Sequence, residues 1–306
     1  MVIVNPTSGG GRGARWGVKA VALLKAAGVR TVVVIGTDAD DASRRAHTSI
    51  ARLRAEARQP AGIVTVGGDG TVHLGLNLAL EHGLPLGLVP AGTGNDFARA
   101  VGATASSPMA AVDTVLAALH EGNHTRVDVG QVEGGAAFGC VLSAGFDATV
   151  NARANRFSHV RGRARYPLAM LAELPRFRPI DCVISVDGVE HRHRAMLIAV
   201  GNASSYGGGM RICPSASLGD GLLDVTVVGE ISVGELLRLF PRVYTGRHMS
   251  HPEAHGYRGR VVTVGFTDAQ PPVFADGEPV SAALETGGLT ASARPGAIDL
   301  LVPTLP

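Results

Sequence analysis

The 306-residue sequence has few cysteines, little excess of one charge and no long apolar run. Its three cysteines, Cys140, Cys182 and Cys213, are too scattered for a disulfide framework or a CxxC metal or redox site, so we expect a reducing, cytoplasmic environment. A formal net charge of +2 is too small for a dedicated nucleic-acid-binding protein, and we expect no nucleic-acid partner. Because no apolar stretch approaches the length of a membrane-spanning helix, we expect any membrane contact to be peripheral.

The sequence does contain enough apolar residues for two packed cores, since 45% of the chain is hydrophobic. In the first 120 residues, short Val/Ile/Leu runs alternate with helix-like segments, an order that predicts a parallel sheet with strands buried on both faces. The predicted strands are VIV, TVVVIG, GIVTV and PLGLVP, and the predicted helices lie near residues 13–27, near residues 40–57 and from Thr71.

From about Thr125 the pattern changes to strands separated mostly by turns, such as RVDVGQV, DCVISVDG, LLDVTVVG and RVVTVGF. This pattern predicts a β-rich, mostly antiparallel domain, with helices at residues 147–174 and 233–244. We therefore divide the chain into an α/β nucleotide-binding domain, residues 1–124, and a β-rich domain, residues 125–306, and allow for the last residues returning to the first domain.

The joint between the third predicted strand and the next helix reads GGDGT, from Gly67 to Thr71. Glycines let a ligand approach the backbone closely, and we expect Thr71 to cap the helix and leave N–H groups that favour an anion such as phosphate. Asp69 suits either a metal-binding acid or a polar clamp, because nucleotide phosphates arrive with Mg²⁺. The simpler alternative is a tight turn with no ligand.

Two further polar loops follow predicted strands: NPTSGGGRG, which begins at Asn5, and GTGND, which ends at Asp96. The first is neither a Walker A loop, since it lacks the Gly-Lys-Ser/Thr ending, nor a GxGxxG loop. Loops that follow the strands of an open parallel sheet emerge at the same edge, so we expect the three loops to share one phosphate site.

These loops, together with the later SLGDGLLDV and FADGEPV, resemble the diacylglycerol kinase catalytic-domain family, which includes sphingosine kinases, ceramide kinases and bacterial lipid kinases. The five segments occur in the family's order, and the likeness covers nearly the whole chain. The resemblance implies an amino-terminal α/β domain like those of NAD kinases and phosphofructokinases and a carboxy-terminal β-rich sandwich. It further implies ATP and Mg²⁺ as cofactors, a lipid acceptor at the inner face of the membrane, a role in phospholipid biosynthesis and a homodimer.

The resemblance also assigns residues to the nucleotide, to a metal and to a charged network. Those expected at the nucleotide are Asn5, Thr37, Gly67, Gly68, Asp69, Gly70, Thr71, Val72, His73, Thr93, Asn95 and Asp96. Asp220 would hold a structural Mg²⁺ with main-chain oxygens near Ser217 and Leu222, although Asp-Gly between apolar runs is also a common hairpin turn. Asp128 would join a charged network, or would be an ordinary polar position on a strand.

For catalysis the resemblance points to Glu278 of ADGEP as the carboxylate that receives the acceptor's hydroxyl proton. Asp69 is the alternative base, and Asp276 would orient the loop that carries Glu278. One departure from the family is GGDGTVHLG, which places His73 and Leu74 where an amide and an acid are usual.

An arginine-rich segment between residues 151 and 180 would attract anionic lipid headgroups, or would be a solvated basic helix: Arg153, Arg156, Arg161, Arg163, Arg165, Arg176 and Arg178. Three functions remain open at this point. The chain is a lipid kinase acting most plausibly on diacylglycerol, an NAD kinase-like enzyme, or a nucleotide-binding regulatory protein without catalysis.

Overall fold

A computed structural model describes residues 1–104, 106–146, 148–150, 153, 168–169, 172–174, 178–267, 271–280 and 288–302. The chain divides into two compact units, Met1–Val127 with Gly296–Pro306, and Asp128–Pro295. Most of the helix predicted over residues 147–174 falls outside the described ranges. Within those ranges, every helix is too short or too polar to cross a membrane.

The first unit contains a parallel sheet with the strand order β2-β1-β3-β4. Its strands are β1 (Val2–Val4), β2 (Val33–Val34), β3 (Ile63–Gly67) and β4 (Leu86–Pro90). Its helices are α1 (Ser8–Ala26), α2 (Ala39–Ala55), α3 (Asp69–His82), α4 (Asp96–Ala100) and α5 (Pro108–Glu121). Every residue of β3 and β4 is buried, which confirms the parallel sheet predicted from the continuous apolar runs.

Local sequence signals account for the ends of these helices. The Asp38 side chain accepts the Asp41 N–H at 2.8 Å at the start of α2, and Ser107 caps α5 in the same way. Gly83 ends α3 in the left-handed region, with φ 64°. β2 is shorter than the predicted strand TVVVIG because it lies at the edge of the sheet, where Val33 and Ile35 are exposed.

The second unit is β-rich, and nine strand pairs among its described residues are antiparallel. Its strands are β5 (Thr125–Val132), β6 (Ala137–Phe138), β7 (Val141–Gly145), β8 (Ile180–Val186), β9 (Val189–Ala195), β10 (Leu197–Gly201), β11 (Leu223–Val228), β12 (Ala254–Gly259), β13 (Val261–Phe266), β14 (Val273–Ala275), β15 (Glu278–Pro279) and β16 (Gly288–Leu300). β5 begins in residues that belong to the first unit, and β16 ends in residues that belong to it.

One sheet of the second unit has the order β12-β11-β10-β7-β14-β15, and a second series runs β16-β13-β8-β9. Both contribute to a single hydrophobic core that includes Leu142, Ile184, Val225 and Val262. This arrangement confirms the predicted antiparallel β-rich sandwich. The helix α6 (Val233–Val243) begins at a capping box formed by Ser232 and Glu235.

The sequence AHGYRG, which was not among the predicted strands, forms β12 and pairs with β11 from Leu223 to Val228. Its alternating residues are His255 and Tyr257 rather than aliphatic side chains, so the period-two signal in the sequence is weak.

Candidate functional site

The three glycine-rich loops of the first unit follow β1, β3 and β4 and are hydrogen-bonded to one another. We call them the NPTSGG loop (Asn5–Gly13), the GGDGT loop (Gly67–Thr71) and the GTGND loop (Gly92–Asp96). The Asn5 N–H donates to the Val66 carbonyl at 3.0 Å, and the Ala91 N–H donates to the Gly67 carbonyl at 2.7 Å. The structure therefore brings together the three loops that were predicted from the sequence to lie at one edge of the sheet.

The NPTSGG loop depends on glycine because three consecutive residues take left-handed conformations. Gly9, Gly10 and Gly11 have φ values of 57°, 69° and 91°. A Cβ at Gly9 would lie 2.2 Å from the Ala91 carbonyl oxygen, whereas a Cβ at Gly10 or Gly11 would meet no atom within 4 Å. The loop backbone therefore packs tightly against Ala91 at Gly9 and is open at Gly10 and Gly11.

Side chains of the NPTSGG loop fasten it to its two neighbours. The Arg12 guanidinium donates to the carbonyl of Ala91 at 3.1 Å and also to that of Gly92. The Ser8 hydroxyl accepts the Gly68 N–H at 3.2 Å. The Asn5 side-chain oxygen accepts from the N–H and the hydroxyl of Thr7, at 3.1 and 2.8 Å. Asn5 therefore stabilises its own loop, and the Arg12 cation holds the NPTSGG loop against the Ala91 and Gly92 carbonyls.

The start of α3 differs from the prediction, because Thr71 is not the cap of the helix. The cap is Gly68, which has no side chain, and Thr71 lies in the first turn, 6% exposed. Its hydroxyl has no hydrogen-bond partner among the described residues and lies against Gly67, where a Cβ would come within 2.2 Å of it. An uncapped helix start presents main-chain N–H groups and the positive end of the helix dipole, which favour an anion.

Not every residue expected at the nucleotide offers a donor there. The Val72 N–H donates to the Gly68 carbonyl at 3.0 Å, so the first turn of α3 already uses it. His73 is half-buried on the same helix and accepts the Asn77 side-chain amide on its carbonyl at 2.9 Å. Gly70 lies in the first turn of α3, between Asp69 and Thr71, as expected.

Asp69 is a clamp on the GTGND loop. One carboxylate oxygen accepts the Asn95 N–H at 2.8 Å and the other accepts the Asp96 N–H at 2.6 Å. A Cβ on Gly94 would lie 2.4 Å from the same carboxylate, so glycine is needed beside it. Of the roles considered from the sequence, this geometry favours the polar clamp over the metal ligand and the base.

The GTGND loop is also braced internally. Asn95 adopts φ 54°, and its side-chain oxygen accepts the Gly92 N–H at 2.9 Å. Asp96 is buried at the start of α4 and forms an ion pair with Arg99 at 3.3 Å. Thr93 is exposed between these fixed residues, so its hydroxyl is accessible to a ligand.

Thr37 lies in the loop after β2, the strand next to β1 in the sheet. Its N–H donates to Asp41 at 3.1 Å and its hydroxyl to Asp38 at 3.2 Å. It is exposed, and it lies at the edge of the sheet from which the three glycine-rich loops emerge.

In the second unit, Asp276 holds the hairpin that carries Glu278. Asp276 has φ 53° and Gly277 has φ 87°, as a tight turn between β14 and β15 requires. The Asp276 carboxylate accepts the main-chain N–H groups of Gly139, Cys140 and Val141 at 2.7, 2.8 and 3.1 Å. Glu278 pairs with Ala275 and is exposed, so its side chain extends from a rigid turn.

A buried polar cluster anchors the SLGDGL segment of the second unit. Asp128, only 3% exposed, accepts the Gly221 N–H at 2.6 Å, and its own N–H donates to the Leu218 carbonyl. The Asn202 side chain donates to the carbonyls of Asp128 and Gly139, at 2.9 and 2.8 Å. Asp128 is therefore not an ordinary polar strand position. Asn202 was not identified as a site residue from the sequence. The only indication in the sequence was its position as the polar residue that ends the apolar run MLIAVGN.

The loop expected to hold Mg²⁺ places Asp220 beside a cation. Asp220 accepts the Leu222 N–H at 3.0 Å and forms an ion pair with Arg258, which also lies 3.3 Å from Asp224. Burial raises the pKa of Asp224, Arg258 opposes this effect, and Asp220 adds to it. The oxygens of Ser217, Asp220 and Leu222 suit Mg²⁺, so the metal site stays a prediction, in which the ion would compete with the Arg258 guanidinium for the Asp220 carboxylate.

An apolar pocket lies beside α6 in the second unit, with Phe146, Met196, Tyr206, Met210, Ile231 and Leu239 among its lining residues. His248 also lines it and is fully buried, with its Nε2 3.1 Å from the Ile212 carbonyl. Most of the arginine-rich segment lies outside the described residues. Of its members, Arg153 forms an ion pair with Glu173.

Comparison with known proteins matches both units. Residues 1–132 match the diacylglycerol kinase catalytic domain family, and residues 140–302 match the YegS C-terminal NAD kinase beta sandwich-like domain. A protein named diacylglycerol kinase from Mycobacterium tuberculosis is 38% identical over 309 residues, covering 98% of this chain and 94% of the relative. One of the same name from Bacillus subtilis is 29% identical over 256 residues, covering 81% and 80%.

Solved structures show the same fold. A diacylglycerol kinase from Bacillus anthracis superposes with a TM-score of 0.68 at 19% identity, covering 98% of this chain and 95% of that chain. Yeast NADH kinase complexed with NADH superposes with a TM-score of 0.54 at 11% identity, covering 98% and 81%.

Proposed function

Since the chain belongs to the diacylglycerol kinase family, we propose that it transfers the γ-phosphate of ATP to the hydroxyl of a lipid, diacylglycerol, forming phosphatidic acid. The observation that carries this proposal is the joining of three glycine-rich loops around the uncapped start of α3. The donors there are main-chain N–H groups, which suit the oxygens of a triphosphate.

In this proposal the loops bind ATP, and Mg²⁺ arrives with the phosphates as their counter-ion. Gly10, Gly11 and the start of α3 approach the phosphates, and exposed Thr93 and Thr37 offer hydroxyls to the nucleotide. Asp69 takes no proton and holds the GTGND loop in position through two main-chain N–H groups.

Glu278 is the catalytic base of the proposal. As the acceptor oxygen bonds to the γ-phosphorus, the bond from that phosphorus to the bridging oxygen breaks and ADP leaves. The hydroxyl proton passes to the Glu278 carboxylate. Glu278 suits this role because it is exposed on a turn that Asp276 holds with three hydrogen bonds.

The lipid acceptor is supported by two features of the second unit. The pocket beside α6 is lined mostly by apolar side chains, which suit an acyl chain. The exposed residues of α6 and its C-cap include Val233, Leu237 and Tyr244, at 39%, 45% and 44%, together with Arg238 and Arg242. Exposed apolar side chains and arginines on the same helix suit peripheral contact with an anionic membrane surface.

The proposal is tested by transfer of labelled phosphate from ATP to lipids in mixed micelles, with NAD as a competing acceptor. We expect labelled phosphatidic acid from diacylglycerol and no labelled NADP. Transfer to NAD instead would support the NAD kinase-like alternative. ATP binding without transfer to any hydroxylated lipid would support a regulatory protein. Light scattering of the same sample tests the expected homodimer.

A further inference from the structure

Two histidines and a glutamate meet between α2 and α3. His47 lies on α2, and Glu81 and His82 lie in the last turn of α3. One potential ligand atom from each residue lies within 4.8 Å of the other two, the one such group of three His, Cys, Asp or Glu residues that the described ranges contain. At about 1.5 Å per residue, the length of α3 places this cluster about 20 Å from the glycine-rich loops.

His47 is held in the orientation of a metal ligand. Its Nδ1 lies 2.9 Å from the carbonyl oxygen of Ser43, so Nδ1 carries a proton and donates it. Its Nε2 then faces Glu81, at 3.0 and 3.1 Å from the two carboxylate oxygens. Metal-binding histidines commonly donate their other ring nitrogen to a carbonyl in this way, which directs the free nitrogen at the ion.

His82 supplies a second, independent observation. Its side chain is 12% exposed, and its Nε2 is buried without a hydrogen-bond partner among the residues that the structure describes. That nitrogen lies 3.8 Å from a carboxylate oxygen of Glu81. An ion pair between His47 and Glu81 would explain the positions of those two side chains, but it would leave the His82 nitrogen without a hydrogen-bond partner or ligand. A shared ion would provide a partner for all three residues.

We propose that His47, Glu81 and His82 bind a zinc ion that links α2 to α3. Zinc ligands in a tetrahedral site lie about 2.0–2.2 Å from the ion and therefore about 3.3–3.6 Å from each other. The separations of 3.0 and 3.8 Å lie on either side of this range, and the Glu81 side chain, which is 56% exposed, can rotate to adjust both. Water completes the fourth position. Two imidazoles with one carboxylate suit zinc, while Mg²⁺ prefers oxygen ligands.

The cation Arg54 lies beside the cluster and opposes the ion. Its guanidinium is 3.5 Å from His82 Nδ1 and donates to the His82 carbonyl at 3.1 Å. Because Arg54 is exposed, it can move away when the metal binds. Removing its charge therefore strengthens zinc binding in this proposal.

The test is a zinc titration of the full chain against a chromophoric chelator, repeated with Co²⁺ to record the absorption of a tetrahedral site. The wild type is expected to bind one equivalent that His47→Gln and Glu81→Gln each lose. Both positions are exposed, so circular dichroism should show intact folding. The double variant His191→Gln/His193→Gln, at two alternate positions of β9, should keep the equivalent. Arg54→Gln should bind zinc more tightly than the wild type.

Zinc should also raise the thermal midpoint of the wild type and not that of His47→Gln. Unchanged stoichiometry and affinity in both His47→Gln and Glu81→Gln would overturn the proposal. So would displacement of zinc by millimolar Mg²⁺, because an oxygen-preferring site would then be present. Neither result depends on kinase activity.

Discussion

Asp69 accepts the main-chain N–H of Asp96 at 2.6 Å, across the 27 residues that separate the two in the sequence. Its second carboxylate oxygen accepts the neighbouring N–H of Asn95. The acid between the two glycines of GGDGT therefore joins the end of one strand to the loop after the next.

Replacing Asp69 with asparagine should weaken ATP binding more than it slows the chemical step. The amide keeps one acceptor oxygen and places an NH2 group against the other main-chain N–H, and a hydrogen bond to a charged group contributes about 1.5–3 kcal/mol. We expect the KM for ATP to rise about tenfold to a hundredfold in a steady-state assay. Asp113→Asn, at an exposed position on α5, is the matched control. A fall in kcat of about 10²–10⁴-fold at constant KM would instead identify Asp69 as the base.

Adding one methyl group at Gly92 should separate the GGDGT and GTGND loops. A Cβ there would lie 2.4 Å from the Gly68 Cα, which is backbone and cannot rotate away. We expect Gly92→Ala to lower the thermal midpoint and to raise the KM for ATP. Gly234→Ala is the control, because its Cβ would meet only Ser232 at 3.9 Å. Equal behaviour of the two variants would show that the loops tolerate a shift.

Replacing Glu278 with glutamine should remove catalysis and leave folding intact. The side chain is exposed, so we expect an unchanged thermal midpoint and unchanged ATP binding. Loss of a general base lowers kcat by about 10²–10⁴-fold, which single-turnover transfer to diacylglycerol would measure. Glu190→Gln, exposed on β9, should keep full activity. Full activity in Glu278→Gln would exclude Glu278 as the base.

Asp276 should matter for stability. Its carboxylate accepts three main-chain N–H groups, and Asn tolerates the left-handed backbone that the position requires. Asp276→Asn keeps one acceptor oxygen and loses the other, so it should lower the free energy of unfolding by about 1–3 kcal/mol. Urea unfolding measures this change. Asp181→Asn, at a side chain on β8 that is 47% exposed, is expected to change it little, and a similarly small effect at Asp276 would contradict the prediction.

His248 should make the stability depend on pH. Burial lowers its pKa, and the Ile212 carbonyl only partly opposes this effect. A histidine with a lowered pKa contributes stability that is fully present above the ordinary value of about 6.5 and is lost as the pH falls below it. We expect urea unfolding of the wild type to lose stability between pH 7.5 and 5 more steeply than His248→Gln does. His124→Gln, an exposed control, should follow the wild type.

Much of the candidate site could be predicted because its signals are local. Three glycine-rich segments each follow an apolar run, and parallel strands direct such segments to one edge of a sheet. The positions of Asn5, Asp69 and Asn95 near one another follow from that rule. The rule does not say which group each side chain contacts, so Thr71 was expected as a cap and is instead buried behind Gly67.

Charge partners could not be predicted, because they come from distant parts of the chain. Asp220 and Arg258 are 38 residues apart, and only the pairing of β11 with β12 places the guanidinium at the expected metal loop. The weak alternation in AHGYRG gave no sign of that pairing. Similarly, Arg12 donates to carbonyls 79 and 80 residues away, and no local pattern in the sequence indicates those contacts.

By itself, the sequence determined the order of the strands and helices, the two kinds of domain and the glycine-rich turns, because hydrophobic periodicity and backbone freedom are properties of short segments. Only the tertiary structure decided which acids act as clamps, which cation neutralises Asp220, and that His47 meets Glu81 and His82. Such contacts depend on how separate helices and strands pack, and a side chain's chemistry does not reveal its distant neighbour.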